Sequence, residues 1–156
     1  MHKGRINSAT DVGTIFVVDL TAAQPSISSL PLPAWPGPNG LLFDAAKGRL
    51  IVASFGTKTQ PGELGVVNLA NNNYTAVPGV KGLFDGVALL DEQTVLVSDW
   101  VKFEPGAGEL KRVDLGTGEI SMVRRGLSGP ADFALCGNGE YILPNMMGGS
   151  ILIHHF

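Results

Sequence analysis

The sequence predicts an all-β fold, a β-propeller built from about three four-stranded blades. Three observations point there. First, 21 glycines and 10 prolines among 156 residues, against roughly 12% combined in average usage, cut the chain into short elements. Second, two independent motifs recur with one spacing of about 45 residues, the length of a propeller blade. Third, one strand of each unit is apolar on both faces, as a strand covered by neighbours on both sides must be.

The first motif is the apolar strand "LIVAS" at 50–54, "VLVSD" at 95–99 and "YILPN" at 141–145. The second is "GTIFVVDL" at 13–20, "GELGVVNL" at 62–69, "GELKRVDL" at 108–115 and "GSILIHHF" at 149–156. Between them the turn chemistry is suitable: "AAKG", "DEQ" and "VDLGTGEI", the last a hairpin signal. Strands are therefore expected at 40–44, 49–54, 63–69 and 73–77, then at 86–90, 94–99, 109–115 and 119–123. Residues 1–12 read as an N-terminal arm and residues 13–156 as one half-propeller domain. The chain starts on strands of third and fourth type and ends on strands of first to third type, about 13 in all. A blade buries its faces only against neighbours, so an open array of three leaves two apolar faces. A homodimer closing a six-bladed ring is the expected remedy.

Composition narrows the function classes. The formal net charge of −3 creates no field favouring nucleic acid or an anionic membrane. No apolar run approaches the roughly 18 residues of a membrane span. The N-terminus "MHKGRINSAT" lacks the apolar segment of a secretory signal; cytoplasmic and processed, exported locations both stay open. With one cysteine, Cys136, there is no intrachain disulfide framework.

The residues that could carry chemistry stand at repeat-equivalent places. Asn39 in "GPNGLLF" and Asp85 in "LFDGVAL" open the inner strands of successive units; Asp132 in "GPADFAL" stands one position out of step. Two readings are open for Asn39 and Asp85: tight-turn formers in Asn-Gly and Asp-Gly dipeptides, or oxygen ligands converging on a channel. Ser54, Asp99 and Asn145 end the second strands, and Trp100 follows Asp99; together with Asp132 they are candidates for a polar, aromatic cavity wall that binds substrate. His154 and His155 are adjacent on a strand, so they point to opposite faces and do not suit one ion. "GLSGP" departs from a nucleophile elbow at Pro130.

The stretches "GPNGLLFDAAKGRLIVASFG", "FDGVALLDEQTVLVSDW" and "GPADFALCGNGEYILPNMMGGSILI" resemble, in order and spacing, the C-terminal half of the senescence-marker-protein/gluconolactonase-like family of six-bladed propellers. The resemblance covers about residues 13–156. It implies a metal-dependent lactonase or esterase acting on a small molecule in the central channel, with calcium or another divalent cation held by oxygen ligands. Asn39 matches the family's Asn in a P-N-G-L motif, and Asp85 its Asp in a D-G motif. The resemblance implies that both bind the metal and that Asp85 is the general base. Phe84 replaces the usual proline, and the family's early glutamate ligand belongs to a half this chain is not expected to contain. The alternative function is a non-catalytic half-propeller that serves binding or assembly.

Overall fold

The structure is a computed structural model. It describes residues 4–9 by their backbone and residues 13–21, 23–32 and 35–155 in full. Among these residues the secondary structure is strands and one short 3-10 turn, Met146–Gly148. The first sheet holds β1 (Gly4–Ala9), β2 (Thr14–Asp19) and β3 (Ser26–Ser29). The second holds β4 (Pro38–Asp44), β5 (Arg49–Ser54), β6 (Gly62–Asn68) and β7 (Asn73–Gly82). The third holds β8 (Phe84–Leu89), β9 (Thr94–Asp99), β10 (Gly108–Asp114) and β11 (Ile120–Leu127). The fourth holds β12 (Ala134–Cys136), β13 (Glu140–Asn145) and β14 (Ser150–His155). Every sheet is an antiparallel meander in chain order, as short turns dictate.

The blade expectation is met as two complete and two three-stranded sheets. Doubling the chain therefore gives eight sheets, not the six expected from three blades per chain. The residues read as an arm include β1, which pairs with β2 from Gly4 opposite Asp19 to Ala9 opposite Thr14. "GRINSA" has no apolar alternation, so its order comes from backbone pairing to a free sheet edge. The second strands lie where the pattern put them, at 49–54 and 94–99. The fourth strand of the second sheet runs on to Gly82, past Pro78 and Gly79. Its pairing skips from Gly65–Ala76 to Glu63–Lys81. The residues left over carry Val77 and Val80 into the core, where both are buried.

Three apolar clusters lie between the sheets. Ile15 and Trp35 meet Leu50, Val52 and Val67 between the first and second. Ile51, Ala53 and Leu64 meet Val87, Val95 and Val97 between the second and third. Leu96 and Leu110 meet Phe133, Tyr141 and Leu143 between the third and fourth. Alternate residues of β5 and β9 thus enter different clusters, which is why these strands are apolar throughout. Each fully buried aliphatic side chain contributes about 1.5–3 kcal/mol.

Candidate functional site

Asn39-Gly40 and Asp85-Gly86 are not turns. Both dipeptides lie inside strands, β4 and β8, and neither glycine has a positive φ. The turn reading fails for a packing reason. A Cβ on Gly40 would overlap the carbonyl oxygen of Asp85, and one on Gly86 would lie 2.8 Å from the Asp132 Cα. Glycine is there because the next inner strand passes too close for a side chain.

The same dipeptides are bulged. Pro38 pairs with Ser54 and Gly40 with Ala53, so Asn39 is an extra residue against β5. Phe84 pairs with Asp99 and Val87 with Val97, which leaves one extra residue at Asp85-Gly86. Pro130 bridges Asn145 and Ala134 pairs with Ile142, again leaving one extra residue, around Asp132. A bulge bends its strand and re-aims a side chain. The repeat is therefore a repeat of bulges, and Asp132 stands beside Gly86 as Asp85 stands beside Gly40. The atoms met differ, the Asp85 carbonyl oxygen at Gly40 and the Asp132 Cα and Oδ1 at Gly86, so Asp132 keeps its one-position offset.

Asn39, Asp85 and Trp100 line a cavity of about 680 Å³ with Phe55, Phe103 and Met146. Trp100 Nε1–H donates to Asp85 Oδ2 at 3.2 Å. Burial raises the Asp85 pKa above its ordinary value of 3.8, and the Asp132 carboxylate adds to the rise against the Trp100 hydrogen bond. Trp100 packs at tilted angles on Phe55, 5.6 Å between centroids, and on Phe103, 5.3 Å. These geometries suit edge-to-face attraction. Gly56, Thr57, Leu83 and the exposed Lys58 complete the lining.

Ser54, Asp99 and Asn145 are not on the cavity wall, and neither is Asp132, which is exposed. Ser54 is fully buried, and among the described residues its Oγ has no hydrogen-bond partner. Asp99, 2% exposed, accepts from Leu83 N at 3.0 Å, Val101 N at 2.8 Å and Lys111 Nζ at 2.6 Å. It clamps the loop after β9, where Val101 is held at φ +59°, a strained conformation for a β-branched residue. Asn145 Oδ1 accepts from Ser128 N and braces a loop in the same way. The cavity is lined instead by the next residues along, Phe55, Trp100 and Met146. Adjacent residues of an extended chain point to opposite sides, so the expectation for these three was one residue early. "SF", "DW" and "NM" after the three strands carry the signal that would have found them.

The acid on the cavity wall is Asp85, with the Asn39 amide as a further oxygen, and Asp132 is an exposed neighbour whose charge reaches Asp85. Among the described residues no group of three or more His, Cys, Asp or Glu side chains could hold a metal ion. Calcium takes six to eight oxygens, so this donor set does not by itself make a calcium site. His154 stacks on Tyr141, and His155 Nε2 lies 3.2 Å from Glu140 Oε1; they face different partners, as the strand requires.

No protein-family model and no curated protein matches the chain. Solved structures do. A computationally designed protein, Ika4, superposes with a TM-score of 0.66 at 14% identity, covering 100% of this chain and 87% of its own. A chain of a nidogen/laminin complex gives 0.68 at 14% identity, over 91% of this chain and 58% of that one. TolB from Acinetobacter baumannii gives 0.65 at 14% identity, over 97% and 37%. The chain has the β-propeller fold. It spans just over half of the nidogen-complex chain and just over a third of TolB. Likeness at this identity concerns architecture, and function has to be argued from the site.

Proposed function

We propose that the cavity binds a small organic molecule bearing a cationic group, its apolar body against Phe55, Trp100 and Phe103 and its charge against Asp85. One observation carries this reading. Buried acids elsewhere have basic partners: Asp44 has Arg49 at 2.8 Å and Asp99 has Lys111 at 2.6 Å. Among the described residues no basic side chain pairs with Asp85, and its charged neighbour is another acid, Asp132. A carboxylate desolvated beside a like charge favours an incoming cation. The aromatic wall favours an organic cation over a hydrated metal ion. Lys58 also lines the cavity, but it is exposed and water screens its charge.

Tryptophan fluorescence titrated with benzyltrimethylammonium tests this, with benzyl alcohol as the neutral counterpart. Saturable binding of the cation alone, weakened at least about tenfold in Asp85→Asn, is expected. Equal binding of the alcohol, or an Asp85→Asn protein that binds as tightly, refutes it.

A second reading is favoured by the bulges at Asn39 and Asp85, which stand at equivalent places on β4 and β8 and line one cavity. In it the protein is a lactonase or esterase, as the family resemblance implies. Asp85 takes a proton from a water molecule, the hydroxide adds to the carbonyl carbon, and the ring C–O bond breaks. The departing alkoxide takes up the proton. Hydrolysis of lactones and aryl esters, with calcium or with a chelator, tests it. Activity that survives in Asp85→Asn would remove Asp85 from the reaction.

A further inference from the structure

The two ends of the sheet array expose apolar faces. On the fourth sheet, Tyr141 and Leu143 face the third sheet, so Ile142 faces outward. Ile142 pairs with Ile153, and Pro144 with Ile151. Ile151 and Ile153 are 69% and 60% exposed. On the first sheet, Ile15 faces the second sheet, so Phe16 and Val18 face outward. Val18 pairs with Ile27, which is 71% exposed.

The repeat says what covers such faces. Ile142 holds the place of Ile51 and Leu96, and each of those packs on the sheet that follows it. Val18 holds the place of Val67 and Val113, and each of those packs on the sheet that precedes it. One end is therefore a "following" face and the other a "preceding" face. Within the molecule these two kinds of face join three times.

We propose that the outer face of the fourth sheet docks on the outer face of the first sheet of a second copy of this chain, and the reverse, closing a ring of two copies. The contact continues the sheet-on-sheet interface already present inside the chain. The four sheets of the described residues set the stoichiometry for this sequence. Two copies make eight sheets, within the four to eight blades typical of propellers, and three copies exceed it. A head-to-tail contact that closes gives a ring with two identical interfaces.

Sedimentation velocity at micromolar concentrations tests this. The expected mass is twice the 16.3 kDa of the chain. A single-chain mass, or a ladder of larger species, overturns the proposal. Ile27→Glu and Ile153→Lys each place a charge in both interfaces, and each is expected to weaken association at least about tenfold. Mixing the two variants leaves one interface intact and sets Lys against Glu in the other, so the double mass should return. If Ile27→Glu alone keeps the double mass, the contact does not use the first sheet and the proposal fails. Circular dichroism confirms that each variant is folded. Should either variant unfold, the wild-type mass still decides.

Discussion

Replacing Gly86 by alanine tests the claim that glycine serves close approach rather than a turn. Gly86 is buried in β8 with an ordinary strand φ, so alanine meets no backbone penalty there. The added Cβ would lie 2.8 Å from the Asp132 Cα and 2.9 Å from the Phe133 Cδ1, against the 3.4 Å at which ordinary contact begins. The Asp132 Cα is backbone and has no rotamer to escape into. The strands must separate by roughly half an ångström or more, a distortion that costs about 1–3 kcal/mol. The same movement strains a bridge between the sheets: Gly86 N–H donates to Ser98 Oγ at 2.8 Å, and Ser98 Oγ–H donates to Ala131 O at 2.9 Å. Losing part of that bridge adds about 1 kcal/mol, for a total of about 2–4 kcal/mol. Gly137 is the control, because it is exposed, its φ is not positive, and a Cβ there meets no atom within 4 Å. Gly137→Ala should change stability by no more than about 0.5 kcal/mol. Urea unfolding followed by circular dichroism, with equal slopes, reads both. If Gly86→Ala unfolds within about 0.5 kcal/mol of Gly137→Ala, the close-approach argument is wrong.

Other perturbations probe the same region. Burial opposes the charge on Lys111, but the hydrogen bonds and charges of Asp99 and Glu109 together outweigh it and hold its pKa above the ordinary value. Lys111→Met strands Asp99 and should cost about 3 kcal/mol, the low end for a broken buried pair because two backbone N–H groups still serve the carboxylate; a loss below about 1 kcal/mol in urea unfolding would show that the pair is replaceable. Ser54→Ala removes a buried hydroxyl without a partner among the described residues, so thermal unfolding should show no loss and a gain of up to about 1 kcal/mol. Asp85→Asn removes a carboxylate whose folded pKa is raised, so the unfolded chain releases this proton at lower pH than the native one. The wild type therefore loses stability relative to the variant as pH rises from 3.8 through the folded value, and keeps the deficit above it. With Asp85 partly open to solvent, the difference at neutral pH should be small and in favour of the variant. Unfolding curves that stay parallel across that range would contradict the raised pKa.

Much of the fold is legible because a β-propeller repeats one simple demand. Strands β5 and β9 must be apolar on both faces, and "RLIVAS" and "TVLVSD" show it without any partner in view. Strand β1 is not legible, because its order comes from backbone pairing and "GRINSA" has no pattern to carry that. The run of β7 beyond Pro78 is hidden for the opposite reason: proline and glycine read as an ending, while here they form a bulge that sends Val77 and Val80 inward. At the site, Asn39, Asp85 and Trp100 could be picked out from repeat position, and they share one cavity. Ser54, Asp99 and Asn145 were chosen by the same logic and lie one residue away from the wall, on the inward side of the chain.

The sequence by itself determined the class of fold, the period and the places where polar residues interrupt it. Each of these follows from local periodicity, which one chain records in full. Only the tertiary structure decided what Asn39-Gly40 and Asp85-Gly86 are for. A glycine that permits a turn and a glycine that permits a neighbouring strand look alike in sequence. The difference is a backbone some 45 residues further on, brought within contact by the stacking of sheets. Stacking also brings Asp132 near Asp85, while pairing within the sheet sets Trp100 beside it. Among the described residues no basic side chain pairs with Asp85, which is the feature from which the proposed ligand follows.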